Sequence, residues 1–111
     1  MSTIKQSYKR YSVAGRIQFH TESMVATGEL VDIGKWGARI RSEIKPHERE
    51  EITARLEVHD YPRMFKVRGV VVRVQSDLWA MMFLEEPAGW AKLRQVLDER
   101  AQKQVASPIV T

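Results

Sequence analysis

The chain has 111 residues, of which 43% are hydrophobic and 29% are charged, so it is the size of one small domain with enough apolar side chains for a single core. It contains no cysteine, which excludes a disulfide framework, a zinc site with thiolate ligands and a cysteine nucleophile. It has neither an apolar run of membrane-spanning length nor an apolar signal peptide, so we expect a cytoplasmic protein without membrane insertion.

Positive charge is concentrated at the N-terminus. The formal net charge of +4 is by itself ordinary for a soluble domain. The first 20 residues, however, contain the cations Lys5, Lys9, Arg10 and Arg16 and no acid. We assign residues 1–14 to a basic N-terminal arm, which indicates an anionic partner.

From Gly15 onward, short segments alternate apolar and polar residues, and turn residues separate them. Ile17 and Phe19, for example, alternate with Gln18 and His20, which is typical of a half-buried strand. Tight turns at short, regular spacing favour an antiparallel barrel, because closure removes exposed sheet edges. We predict an all-β fold, a six-stranded antiparallel barrel whose strands contain RIQFH, MVATGELVDI, GARIRS, ITARLEV, MFKVRGVVVRV and LWAMMFL.

A helix is predicted after the last strand. Pro87 suits the first helical turn, with two glutamates just before it at the positive end of the helix. Trp90, Leu93 and Leu97 recur at helical spacing and should cover part of the barrel. The expected organisation is an arm at 1–14, the barrel with its C-terminal helix at 15–100, and a flexible tail at 101–111.

The stretch DIGKWGARI holds the strongest candidate for a binding loop. Asp32 precedes Gly34 and Gly37 between two predicted strands. The pattern alone is typical of a hairpin turn, in which the acid caps backbone amides and glycines can adopt positive φ. A carboxylate there could instead accept two hydrogen bonds from the paired donors of a guanine edge. Strand alternation places Arg39 and Arg41 together on the outward face.

The order of these features resembles that of the bacterial PilZ domain. The layout of that family is a basic arm, two strands, an Asp-x-Ser-x-x-Gly loop, further strands and a closing helix, and the resemblance covers about Lys5 to Asp98 of this chain. It implies a barrel that commonly binds cyclic di-GMP. In that family an Arg-x-x-x-Arg pair before the first strand contacts the phosphates and guanines, while the loop Asp and Ser hydrogen-bond a guanine. The arm often reorders on binding.

The family's motif residues are partly retained here. Asp32 and Gly37 match the loop Asp and the final Gly, and Arg10 matches the second arginine. Gln6 stands in place of the first arginine and Gly34 in place of the serine. Lysine cannot supply a planar guanidinium, so the resemblance implies binding weaker by ~1–3 kcal/mol per lost charged hydrogen bond. The expected ligand-binding residues are Lys5, Lys9, Arg10, Asp32, Gly34, Gly37, Arg39 and Arg41.

Two functions of different classes follow from the resemblance. The first is a small stand-alone PilZ domain that binds cyclic di-GMP as a second-messenger receptor, with a protein partner downstream. The second is a degenerate PilZ domain that binds no nucleotide and acts as a protein adaptor, for example in type IV pilus or motility systems. Trp36 at the loop tip either folds back on the barrel or is exposed to a base or a partner.

Other functions find less support in the sequence. The three histidines share no metal spacing, and no nucleophile motif occurs, so we expect neither an enzyme nor a metal or cofactor site. A nucleic-acid-binding barrel needs stacking aromatics along a basic face. The aromatic residues here are scattered, so no DNA or RNA partner is expected.

Overall fold

The computed structural model describes residues 9–106, which form a closed antiparallel barrel and one helix. The strand order around the barrel is β1-β2-β3-β6-β5-β4, and pairing of β1 with β4 closes it. The predicted all-β fold, a six-stranded antiparallel barrel with a C-terminal helix, is confirmed. The elements are β1 Arg10–His20, β2 Val25–Gly34, β3 Gly37–Arg41, β4 Glu51–Val58, β5 Met64–Gln75, β6 Leu78–Phe83 and α1 Trp90–Ala106.

Alternate residues of the strands fill the barrel interior. The even-numbered residues of Glu51–Val58 are all 3% exposed or less, because successive side chains of a strand point to opposite faces. Trp79 packs edge-to-face on Phe19 with ring centroids 4.9 Å apart, and its indole Nε1 donates a hydrogen bond to Ser42 Oγ at 2.9 Å. The core therefore contains a bulky aromatic pair whose polar atom is satisfied.

The helix packs against the barrel beside the beginning of β1. The apolar residues predicted to cover the barrel, Trp90, Leu93 and Leu97, are 5% exposed or less. Trp90 meets Tyr11 with ring centroids 6.2 Å apart at an angle of 62°. No helix within residues 9–106 is long and apolar enough to cross a membrane.

The first strand begins earlier than predicted. β1 starts at Arg10, so residues 10–14 of the expected arm belong to the barrel. Their register with β2 shifts between Ser12 and Gly15. Tyr11, Ile17 and Phe19 nevertheless lie on the inward face in one unbroken alternation, so the period-two pattern of β1 extends into the segment assigned to the arm.

The helix also differs from its predicted bounds. It begins at Trp90, and no acid lies in its first turn, so the prediction that Pro87 lies in the first helical turn is wrong. Gly89 adopts a φ of +87°, which is incompatible with a right-handed helix. The Trp90 amide instead donates to the Pro87 carbonyl oxygen in a turn, at 3.0 Å. The helix continues to Ala106, because neither Gly nor Pro interrupts the sequence up to that point.

Candidate ligand site at the Asp32 hairpin

The Asp32 loop is a tighter hairpin than the sequence predicted. β2 continues through Asp32 to Gly34, which pairs with Gly37, so Lys35 and Trp36 alone make the reversal. Neither glycine has a positive φ, so this hairpin does not use the conformational freedom of glycine. Glycine is required instead because the backbone of a neighbouring strand approaches closely: a Cβ on Gly37 would lie 2.6 Å from the Met81 carbonyl oxygen.

Asp32 is buried between two arginines. The residue is 4% exposed, and Arg10 Nη2 donates to its Oδ1 at 2.7 Å. Arg39 contacts Oδ2 through Nε and Nη2, both at 2.7 Å. The cross-strand register accounts for this, because Arg39 is the direct partner of Asp32 on β3 and Arg10 lies diagonally on β1. We call these three residues the Asp32 cluster.

The hydrogen bonds of the cluster determine what a ligand must displace. Asp32 Oδ2 accepts a hydrogen bond from Arg39 Nε, and Arg39 Nη2 makes an ion pair with the same oxygen at 2.7 Å. Oδ1 receives one donor from Arg10. Asp32 is 4% exposed and held on both oxygens, so a guanine edge can reach it only if an arginine moves away. Both arginine side chains are 47% exposed, so either can turn outward.

A positively charged groove begins at the cluster and runs over the outer faces of β3, β6 and β5. Its volume is about 630 Å³, and three arginines but no acid line it. A second groove of the same volume lies at the first half of β2, but Glu29, Glu43 and Asp77 line it beside a single arginine. The acid-free groove suits an anion better. Its lining residues are Arg10, Arg39, Val72, Arg73, Gln75, Leu78, Trp79 and Ala80.

The structure brings together Arg10, Asp32 and Arg39 of the predicted site, with Gly34 and Gly37 in the adjacent hairpin. It does not place every predicted residue there. Two others lie elsewhere: the Arg41 guanidinium pairs with Asp77 at 3.4 Å in the second groove, and Lys9 bonds to the helix. The predicted residue Lys5 is outside the described residues.

Lys9 and Tyr11 bond to the helix on either side of Arg10. The Tyr11 hydroxyl donates to Asp98 Oδ1 at 2.6 Å, and Lys9 Nζ donates to the same oxygen at 3.1 Å. Burial, followed by the hydrogen bond to Asp98, raises the pKa of Tyr11 from 10.0 to about 12. The Tyr11 hydrogen bond and then the Lys9 hydrogen bond lower the pKa of Asp98. The beginning of β1 thus contacts the groove and the helix with successive residues.

Trp36 lies at the tip of the hairpin, where the sequence left open whether its ring is exposed. Trp36 is 36% exposed, and the Lys35 ammonium lies 5.6 Å from its ring centroid. The loop tip therefore presents a partly exposed aromatic ring.

Within residues 9–106, no group of three His, Asp or Glu side chains could hold a metal ion.

No pattern in the sequence points to Arg73, the third arginine that lines the groove. It comes from β5, 34 positions after Arg39, and no short motif connects the two. The register of β5 with β6 shifts between Val71 and Arg73, so alternation counted from the start of the strand does not give its face. The pairing of β6 with β3 and β5 brings it to the groove.

The structure thus combines a closed six-stranded barrel with an arginine-lined groove beside a two-residue hairpin. The sequence profile of the PilZ domain matches residues 4–99. The chain therefore belongs to the PilZ domain family, as the resemblance predicted. This family consists of binding and adaptor domains. A search of curated proteins found no match.

Solved structures share the fold at low sequence identity. The PilZ domain of YcgR from Escherichia coli, with c-di-GMP, has a TM-score of 0.71 and 16% identity over 96% of this chain and 100% of that chain. MotI/DgrA of Bacillus subtilis, an inhibitor of motility, has a TM-score of 0.70 and 14% identity over 96% of this chain. The present chain spans about half, 55%, of the MotI/DgrA chain. The uncharacterised Legionella protein Lpg0364 has a TM-score of 0.58 and 21% identity over 87% of this chain and 98% of that chain.

Proposed function

We propose that this chain is a cytoplasmic receptor for cyclic di-GMP and that the ligand binds in the arginine groove. The observation that carries the proposal is the Asp32 cluster in a PilZ barrel. A buried carboxylate holds two guanidinium groups at the edge of an acid-free groove. Guanidinium groups bind phosphate oxygens through paired, charge-assisted hydrogen bonds, and this role requires no catalytic group.

Binding proceeds by an exchange of partners. The phosphates of cyclic di-GMP receive the donors of Arg10 and Arg39, whose side chains are half exposed in the free protein. Release of an arginine donor frees Asp32 to accept the N1–H and exocyclic amine of a guanine. The exchange replaces one charge-assisted set of hydrogen bonds with another, so no charged group loses all of its partners.

The output of binding is a change at the N-terminal arm. Arg10 contacts the groove, while its neighbours Lys9 and Tyr11 contact Asp98 of the helix. A ligand that moves Arg10 therefore alters the backbone that positions these helix contacts. The arm and the adjacent helix surface then present a ligand-dependent face to a protein partner.

Titration calorimetry with cyclic di-GMP tests the proposal. The unmodified chain should bind, whereas Arg10→Ala and Asp32→Ala should each lose most of the affinity. Arg41→Ala is the matched control, because Arg41 is an outward arginine of β3 that lies in the other groove. Absence of heat and of NMR shifts for the unmodified chain at roughly millimolar ligand, a concentration that would reveal even weak binding, would exclude a receptor.

A second candidate function is a protein adaptor that binds no nucleotide. Exposed apolar side chains beside the hairpin favour it: Met82 is 48% exposed, and it pairs with Gly37 on one side and Val70 on the other. Leu84, the second residue after Met82, is 43% exposed. Exposed apolar groups that lie together are typical of protein contacts. A partner recovered from the native cytoplasm that still binds Arg10→Ala and Asp32→Ala variants, but not Met82→Glu, would favour the adaptor.

A further inference from the structure

We infer that Arg73 is an additional phosphate-binding residue of the groove, contributed by β5. The inference rests on the proposed function, because it assigns a contact to the same cyclic dinucleotide. Neither of the family motifs that the sequence retains in part includes this residue. Three observations support the assignment: its position across the groove, its unused donors, and the charge that it adds.

Arg73 faces Arg39 across a narrow floor. Ala80 of β6 is the Cα partner of Arg39 on one side and of Arg73 on the other. Since neighbouring strands are about 4.8 Å apart, the two arginine backbones are separated by about 10 Å. Ala80 has a small side chain, so the floor between them is open. Both arginines line the same groove of about 630 Å³.

The guanidinium of Arg73 has no partner within residues 9–106, where it makes neither a hydrogen bond nor an ion pair. Arg10 and Arg39, by contrast, are both bonded to Asp32. The register shift of β5 leaves both Val72 and Arg73 exposed. Arg73 can therefore bind an anion without first breaking an internal contact, whereas the cluster arginines must exchange partners.

Arg73 also balances the charge of the ligand. The Asp32 cluster contains two guanidinium groups and one carboxylate, so it carries a single net positive charge. Arg73 raises the charge of the groove to two, which equals the two phosphodiester charges of a cyclic dinucleotide. The family's first arm arginine is a glutamine at position 6 in this chain. Arg73 supplies the cation that this position lacks, from the opposite wall of the groove.

Calorimetric titration of the full chain with cyclic di-GMP tests the inference. Arg73→Ala should weaken binding about 10- to 100-fold, the effect of one charge-assisted hydrogen-bonded contact. Arg73→Lys keeps the charge but lacks the planar fork, so its affinity should lie between those of Arg73→Ala and the unmodified chain. Arg55→Ala is the matched control, since Arg55 is an exposed strand arginine of β4 outside this groove. Thermal unfolding of all three variants should match that of the unmodified chain.

The possible outcomes separate this inference from the proposed function. If the unmodified chain binds and Arg10→Ala does not, unchanged affinity of Arg73→Ala overturns the role of Arg73 and leaves the receptor function intact. An equal loss in Arg55→Ala also overturns it, because the effect is then one of overall charge. If the unmodified chain does not bind, both the function and the inference are lost.

Discussion

Asp32 holds the two arginines of the cluster at the edge of the groove. An ionised carboxylate that is 4% exposed would be unfavourable without partners, because burial removes its hydration. Hydrogen bonds and ion pairs from two arginines compensate for that loss. The same contacts hold the guanidinium groups at the groove, so one residue both stabilises the free barrel and positions the cations. We expect these two roles to be separable by substitution.

Asp32→Asn tests the stabilising role. The variant keeps the shape of the side chain but removes its charge and places an amide donor near Arg10 or Arg39, so the free energy of unfolding should fall by about 1–3 kcal/mol. Urea denaturation measures the change. Asp77→Asn is the control, because its carboxylate is 62% exposed and pairs with Arg41 at 3.4 Å; an exposed pair contributes less than about 1 kcal/mol. Equal effects of the two substitutions would contradict a structural role for Asp32.

Gly34→Ser tests whether the missing hydroxyl weakens binding. A Cβ at Gly34 would lie 3.0 Å from the Lys9 carbonyl oxygen and 3.7 Å from Arg10 Cγ, and Gly34 has no positive φ that would strain a serine. Lys9 lies outside β1, so a small backbone shift can accommodate the new atom. The affinity for cyclic di-GMP should rise about 2- to 10-fold, as expected for one added neutral hydrogen bond.

Gly34→Ala controls for the effect of the Cβ atom alone in this test. It should leave the affinity at or below that of the unmodified chain, because it adds the same steric contact without a hydroxyl. If serine and alanine change the affinity equally, the family's serine position has no separate hydrogen-bonding role in this chain.

The sequence predicted residues of the candidate site only where they lie close together in the chain or match a motif. Alternation correctly puts Arg39 and Arg41 on the outer face of β3. It does not reveal the bulge between Leu30 and Asp32, which determines that Arg39 pairs with Asp32 on β2. Arg41 consequently pairs with Asp77 in another groove. Position along a strand is therefore weaker information than register across strands, and the latter depends on bulges that the sequence does not reveal.

At the scale of elements, the beginning of β1 connects the groove with the helix. Arg10 donates to Asp32, and Tyr11 next to it donates to Asp98 of α1. The helix is also bonded at its C-terminal half, where Arg100 donates to the carbonyl oxygens of His59 and Asp60 in the β4–β5 turn. The sequence predicted the apolar stripe of the helix from its spacing. The sequence does not predict these polar contacts, because the two partners of each hydrogen bond are 40 or more positions apart in the chain.

The Tyr11–Asp98 hydrogen bond should make stability depend on pH at the alkaline end. The pKa of Tyr11 is raised from 10.0 to about 12 in the folded chain, so folding favours the neutral phenol. The resulting stabilisation is fully present below about pH 10 and is lost as the pH rises towards about 12. The free energy of unfolding should therefore fall more steeply over this range for the unmodified chain than for Tyr11→Phe.

Chemical denaturation of both proteins at a series of pH values measures this difference. Tyr61→Phe is the control, because it removes a hydroxyl from a ring that stacks on Phe65 at 5.8 Å and does not contact the helix through Asp98. Parallel pH profiles for the unmodified chain and Tyr11→Phe would show that the hydrogen bond does not contribute to folding.

For the whole molecule, the fold was more predictable than the site. Alternation marks each strand locally, and six short strands with tight turns leave few arrangements other than a closed barrel. The strand order is a different matter, because β3 pairs with β6 rather than with β4. That pairing puts Ala80 between Arg39 and Arg73, and no local pattern encodes it. The arginine groove is thus a property of the assembled barrel.

This dependence on assembly predicts that cyclic di-GMP stabilises the whole domain. Arg10, Asp32, Arg39 and Arg73 come from four strands, β1, β2, β3 and β5, so an unfolded chain has no site and the ligand binds only the folded state. At a free ligand concentration about 100 times Kd, the free energy of unfolding should rise by about 2.7 kcal/mol.

Thermal unfolding followed by circular dichroism measures this stabilisation, since each kcal/mol should raise the Tm of a domain of this size by roughly 4–8 °C. The rise should increase with the logarithm of the ligand concentration and should be absent in Arg10→Ala, whereas Arg41→Ala should retain it because Arg41 lies in the other groove. An equal rise in Arg10→Ala would mean that the ligand stabilises the barrel from a different surface, and the Asp32 cluster would then not be the binding site.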